Sequence, residues 1–331
     1  MTVVEDIMLI GAAQPLRSIV RDEHQLLSPP HAPDLPIKLW RDYPPLTVVH
    51  FPQEYRAQPF APPRGLYEND ELRVEWQTMD NRQPFYHRNC DVDEISYQIA
   101  GDRTLMTELG VVEHVPGDFS LIPRGVAHDN YGRTESHLLF YFPAPVTELE
   151  PPHRVSAPAD PPFPGWTAGN VNEAVTQCMG APGHDITVFR ADEQLLLNQV
   201  QHEARRIQIQ RANPNQDTTW LYSTKNVRIG TVGTNPGDER RYRRTLDADE
   251  IQYQASGRRT VISQRGIVEL GPGDFVRVPL GIAHTEVSTE PGRYLKLLSH
   301  QELPQIAETD RDAEACTPER LAALAGTVAA Q

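Results

Sequence analysis

The sequence predicts a chain dominated by β-structure and folded as two jelly-roll barrels (double-stranded β-helices) with a few peripheral helices. Three observations predict it. Residues 91–128, DVDEISYQIAGDRTLMTELGVVEHVPGDFSLIPRGVAH, recur as residues 247–284, DADEIQYQASGRRTVISQRGIVELGPGDFVRVPLGIAH, at an offset of 156 without a gap and with 20 of 38 positions identical. Agreement of that extent marks one duplicated module. Each copy divides into short β-branched and aromatic runs punctuated by turn residues, as closely spaced antiparallel strands do. A proline-rich stretch lies between the copies, where a connector between two modules belongs.

In chain order, the start MTVVEDIMLIGAAQPL places acids ahead of a short apolar stretch and lacks the basic flank of a secretory signal. Prolines crowd residues 29–63, a composition that suits extended connectors. In the first copy EISYQIAG reads as a strand run stopped at Gly101, TLMTEL and FSLIP follow, and Pro116, Gly117 and Asp118 form a turn. The second copy repeats this with Gly257 and the turn at Pro272, Gly273 and Asp274. No GK[ST] follows either glycine turn, so neither is a phosphate loop. The densest proline stretch, PAPVTELEPPHRVSAPADPPFPGW at 143–166, divides the chain into a first barrel at 1–145, a linker at 146–166 and a second barrel at 167–331. Residues 170–210 mix helix formers with apolar stretches and do not separate helix from strand. Thr317, Pro318 and Glu319 supply an N-cap, a first-turn proline and a first-turn acid for a C-terminal helix.

Charge narrows the function classes. The 331 residues carry 45 acidic against 31 basic side chains, a net charge of −14, which gives no attraction to nucleic acid or anionic lipid. The expected location is cytoplasmic, and no run of about 18 apolar residues suggests a membrane span. Cys90, Cys178 and Cys316 form no CxxC pair, which argues against a disulfide framework or a thiolate zinc site. Only three lysines occur, Lys38, Lys225 and Lys296.

The chemistry concentrates at the first copy. HRNCDVDEISYQIAG contains His87, Asn89, Glu94 and Gly101, and GDFSLIPRGVAH contains Gly117, Pro123, Gly125 and His128. These two blocks resemble those of the cupins, with Asn89 where a second histidine often stands. Two imidazoles and one carboxylate can hold Fe(II) on one face of an octahedron, and zinc, manganese or nickel suit the same donors. Strand alternation lets His87 and Glu94 project into a barrel, with His128 from a later strand. Asn89 is either a fourth ligand or a donor that orients Glu94. In the second copy Glu250 and His284 persist, but Arg243 replaces His87 and Thr245 replaces Asn89. Arginine stays protonated and cannot ligate, so this copy is expected to lack a working metal, with Arg243 satisfying the Glu250 and His284 pair.

The strings YHRNC (86–90) and TELGVV…PGD…IPRG resemble homogentisate 1,2-dioxygenase, a ring-cleaving bicupin, with a layout nearer to the gentisate-type bicupins that use the N-terminal site. The resemblance implies His87 and Glu94 as iron ligands, although the His-to-Glu spacing is one residue longer than in the family. It implies a dioxygenase that uses Fe(II) and O2 to open the ring of a hydroxylated aromatic compound. Arg124, Arg88 and Arg103 are candidates to meet a substrate carboxylate, and Tyr86, Tyr97 and His137 to orient substrate or handle protons. The alternatives are a metal-dependent cupin of another reaction type (diketone cleavage, decarboxylation, isomerisation) and a non-enzymatic binding bicupin. Barrel edges and the C-terminal helix suggest a homo-oligomer.

Overall fold

The computed structural model describes residues 1–28, 44–57, 63–179, 184–213, 216–237 and 240–329. Most of the proline-rich stretch at 29–63 therefore lies outside the described residues. Both repeat copies fold as β-barrels of the jelly-roll type, and helices are few and peripheral. No helix among the described residues is long and apolar enough to cross a membrane.

The first barrel is a single 11-stranded sheet that wraps around itself, made continuous by two 15-residue strands, Asp93–Thr107 and His128–Phe142. These pair antiparallel along nearly their whole length, with irregular register between Arg133 and His137. The turn in the first strand falls at Gly101, whose φ is 64°. A Cβ there would lie 2.4 Å from the Thr134 carbonyl oxygen, so only glycine lets the two backbones cross. The second barrel closes a six-stranded sheet against an eight-stranded one.

The two barrels meet through an apolar interface. Trp76, Tyr97, Phe119, Leu138 and Phe140 of the first pack with Tyr253, Phe275, Leu295 and Leu297 of the second in one buried cluster. Period-2 alternation explains the split of roles. On the strand Asp93–Thr107, Ile95 and Tyr97 face this interface, while Glu94, Ser96 and Gln98 fall on the opposite, interior face.

Strand pairing crosses the linker in both directions. The N-terminal strand Thr2–Met8 pairs parallel with Arg241–Thr245, and Thr47–His50 pairs with Asp274–Val278, so the chain's start completes the second barrel. Reciprocally, Asn170–Gln177 pairs parallel with Phe85–Asn89, and Gln208–Gln210 pairs with Phe119–Ile122, completing the first. The linker itself is pinned at Thr147–Glu148 and Arg154–Val155 by pairing with strands of the second half. Neither exchange is visible in hydrophobic pattern, because pattern gives a strand's face but not its partner.

Each exchanged arm ends in a short helix, α1 (Glu23–Leu27) and α2 (Glu193–Asn198), N-capped by Asp22 and Asp192. These arms are a second repeat, visible in RDEHQLL (21–27) against ADEQLLL (191–197). The C-terminal helix α3 (Pro318–Ala329) receives its cap from Thr317, whose Oγ1 accepts from the Arg320 amide at 3.2 Å. Leu321 and Leu324 seat it beside Val3, Leu26, Leu27 and Tyr242, on the second barrel.

Candidate metal centre

Strand Phe85–Asn89 carries His87 and Asn89 on its interior face, and the 15-residue strands bring Glu94 and His128 to the same place. His87 and His128 are direct register partners, with ring centroids 3.8 Å apart. One ligand atom from each of His87, Glu94 and His128 lies within 4.8 Å of the others, in a largely buried pocket.

Each donor is held in a form that can ligate. The His128 Nδ1 donates to the Val126 carbonyl at 3.0 Å, which leaves Nε2 turned toward Glu94. That Nε2 stands 3.4 Å from Glu94 Oε2 and makes no hydrogen bond. Among the described residues the His87 Nδ1 likewise has no hydrogen-bond partner, and it is buried. Burial, with His128 beside it, pushes the His87 imidazole down to about 3. Burial works against the Glu94 carboxylate, yet His128, His87 and the Asn89 amide hold it down at about 2. A carboxylate and neutral imidazole so placed fit a divalent cation, which would give all three donors a shared partner.

The second barrel treats the corresponding positions differently. His284 stands 3.7 Å from Glu250, as His128 stands from Glu94, and Arg243 is the register partner of His284. The neutralising charge at Glu250 is Lys296, with Nζ 2.8 Å from Oε2, and Gln252 donates to Oε1 at 2.7 Å. Arg243, expected from sequence to satisfy this pair directly, instead donates to Glu286. Strand register aligns Lys296, opposite Gln252, with Leu139, opposite Ser96. The first barrel therefore has a leucine where the second has its internal cation. Glu94 keeps its charge with no lysine or arginine paired to it among the described residues.

Asn89 takes the orienting position of the two open to it. Its Nδ2 donates to Glu94 Oε2 at 2.9 Å, and its Oδ1 accepts from Thr176 Oγ1 at 2.9 Å and the Cys178 thiol at 3.2 Å. With both ends of the amide engaged, Asn89 is bonded to the Glu94 carboxylate and is not left free as a fourth donor.

The other sequence candidates scatter. Tyr86, on the opposite face of its strand, is fully buried under α2, and its hydroxyl donates to Glu193 Oε1 at 2.7 Å. Tyr242 makes the matching bond to Glu23 at 2.8 Å in the barrel without the donor set, so this contact seats an exchanged arm. Tyr97 lies in the inter-barrel cluster, its ring 4.4 Å from that of Phe119, and burial pushes its phenol up to about 12. Arg124 donates to the Pro143 carbonyl at 2.5 Å on the exposed surface, away from the donors. Arg88 points out of the barrel and pairs with Glu108 and Glu173. His137 does reach the interior, where Nδ1 meets Glu135 Oε2 at 2.9 Å.

Arg103 also lies inside, bonded to Ser96. Leu139, Tyr141, Glu135 and the buried His114 complete this interior and carry no motif of their own. Only the mismatch between the repeat copies, His114 against Leu270 for example, marks any of them in the sequence.

No protein-family profile matches the chain, and no curated protein sequence does. Among solved structures the chain is similar to a cupin 2 conserved barrel domain protein from Leptotrichia buccalis, at 10% identity and a TM-score of 0.45, covering 74% of this chain and 91% of that one. It is also similar to the formate complex of Lactobacillus farciminis oxalate decarboxylase, at 13% identity and a TM-score of 0.43, covering 79% and 88%. Bacillus subtilis oxalate decarboxylase, described for its Mn(II) centers, matches at 12% identity and a TM-score of 0.42, covering 78% and 79%.

Proposed function

We propose that this chain is a metal-dependent cupin enzyme with one working centre, in the first barrel, acting on a small anionic substrate that binds the metal through oxygen. The observation that carries this reading is the uncompensated donor set: His87, Glu94 and His128 converge where the copy holds Lys296 against Glu250. When bound, a divalent metal there would supply open coordination positions and Lewis acidity, or, as Fe(II), a route for electrons to dioxygen.

The chain's own residues set the terms of that chemistry. Asn89 and the Val126 carbonyl fix the orientation of Glu94 and His128, so the donors meet substrate preorganised. Leu139 and Tyr141, packed with Val92 and against Cys178 and Met179, form an apolar wall that limits water beside Glu94. The paired His137 and Glu135 place a proton-exchanging group in the same interior.

Filling of the interior by Leu105 and Ile122 favours a compact substrate, and so a decarboxylation, isomerisation or C–C cleavage of a small acid or diketone. Fe(II)-dependent opening of a hydroxylated aromatic ring by O2 is the second reading. The His87-Arg88-Asn89 string favours it, now with Asn89 bonded to Glu94. The test combines metal analysis after growth in iron or manganese with oxygen uptake over small dicarboxylates, diketones, gentisate, homogentisate and hydroquinones. The proposal expects one metal per chain and turnover of a compact acid or diketone. Uptake with an aromatic compound alone selects the second reading, and protein with no metal under either supply refutes both.

A further inference from the structure

Arg103 and Arg259 occupy the same repeat position, both almost wholly buried, yet they are treated differently. Arg259 is saturated from within: Nε donates to Gln254 at 2.7 Å, Nη1 to Glu286 at 2.8 Å and Nη2 to Gln252 at 2.6 Å. The positions equivalent to Gln252 and Glu286 are Ser96 and Asn130 in the first barrel, both shorter. Among the described residues Arg103 keeps one hydrogen bond, from Nη2 to Ser96 Oγ at 2.5 Å, and its Nε is buried with no partner. Around it the Oγ of Ser120 and both ring nitrogens of His114 are also buried and unpartnered. His114 stands where the copy has Leu270, so the first barrel has gained polar groups there and left them unused. An arginine Nε–H, a serine hydroxyl and an imidazole buried together without partners are costly unless something binds them.

We propose that this space is the second half of the substrate site and that it takes the far carboxylate of a short dicarboxylate, whose near carboxylate lies at the His87, Glu94 and His128 centre. The inference deepens the functional reading above and rests on it. Ser96, which holds Arg103, is two residues from Glu94 on the same strand face, one pleat repeat of about 7 Å. Glu94 of the donor set and Ser96, which holds the guanidinium, are thus neighbours on one strand face, a layout that suits a short dicarboxylate with one end on the metal and the other on the guanidinium. Arg103 supplies charge and a planar fork of donors for the carboxylate, and His114 a neutral N–H. Burial holds the His114 imidazole well below its ordinary value, which keeps it neutral. Glu135 is committed to Gln98 and His137, and so does not close the fork of Arg103.

The experiment compares wild type, Arg103→Gln and the double variant Ser96→Gln/Asn130→Glu, which gives Arg103 the partners that Arg259 has. Each is assayed for metal content and, by calorimetry, for binding of malonate, succinate and the monoacid propionate. We expect wild type to bind malonate or succinate at least tenfold more tightly than propionate. Both variants should keep the wild-type metal content and lose that preference, with dicarboxylate binding weakened by about tenfold or more. The double variant guards against misfolding, because the second barrel already folds around the same set of bonds. Dicarboxylate binding unchanged in both variants, or undetectable in metal-loaded wild type, overturns the proposal. Absence of metal from wild type under either supply instead fails the functional reading on which this proposal rests, whereas metal-loaded wild type that binds no dicarboxylate fails the proposal and leaves that reading standing.

Discussion

Replacing Leu139 by lysine should convert the first barrel to the charge arrangement of the second. Register places residue 139 opposite Ser96, as Lys296 lies opposite Gln252, and there the Lys296 ammonium stands 2.8 Å from the Glu250 carboxylate. An ammonium in the equivalent place would occupy Glu94 and repel an incoming divalent cation. At about 4 Å and an effective dielectric of about 20, a single charge opposes a double one by roughly 8 kcal/mol. Relaxation and water reduce that, but even half of it lowers metal affinity by about a thousandfold. The fold should survive, because the new charge finds a buried partner rather than an apolar wall alone. The assay is metal stoichiometry after reconstitution with Fe(II) or Mn(II), alongside circular dichroism and thermal unfolding. A folded Leu139→Lys protein that still holds one metal per chain would refute the argument that a missing internal cation defines the site.

Other outcomes follow from the same contacts. His87→Ala and His128→Ala should each abolish bound metal, measured by elemental analysis, whereas His284→Ala should leave it unchanged; equal loss in all three contradicts a single centre. Asn89→Ala should retain the metal but weaken it by about 10- to 100-fold in a chelator competition, and wild-type affinity would show that the amide does not position Glu94. In the second barrel, burial opposes the Glu250 carboxylate but Lys296 and His284 hold it well below its ordinary value. A depressed folded value means that its contribution is complete above about 4.5 and is lost as pH falls through the folded value. Urea midpoints at pH 7 and 3.5 should therefore differ less in Glu250→Gln than in wild type, and equal differences would exclude this carboxylate from acid unfolding. Glu193→Ala should leave metal content unchanged but destabilise the chain by about 1–3 kcal/mol in urea, because the buried Tyr86 hydroxyl loses its acceptor and half-buried Arg82 loses one of its two carboxylate partners, keeping Asp129.

Residue types and spacing in the sequence determined a duplicated β module, the four polar positions His87, Asn89, Glu94 and His128 in one copy, and the substitution of Arg243 in the other. A strict side-chain period of two and a gapless repeat survive in one dimension, so these could be read along the chain. Three things were decided only by tertiary structure. Which barrel the strands Thr2–Met8 and Thr47–His50 complete depends on strand partners, and hydrophobic pattern carries no partner information. The fates of Tyr86, Tyr97 and Arg124 depend on which face of a strand meets α2, the other barrel or solvent. The neutralisation of Glu250 by Lys296, and the leucine that stands at the corresponding place beside Glu94, emerge only from register between strands about 45 residues apart in sequence. A charge finds its counter-charge in space, at distances that the linear chain does not record.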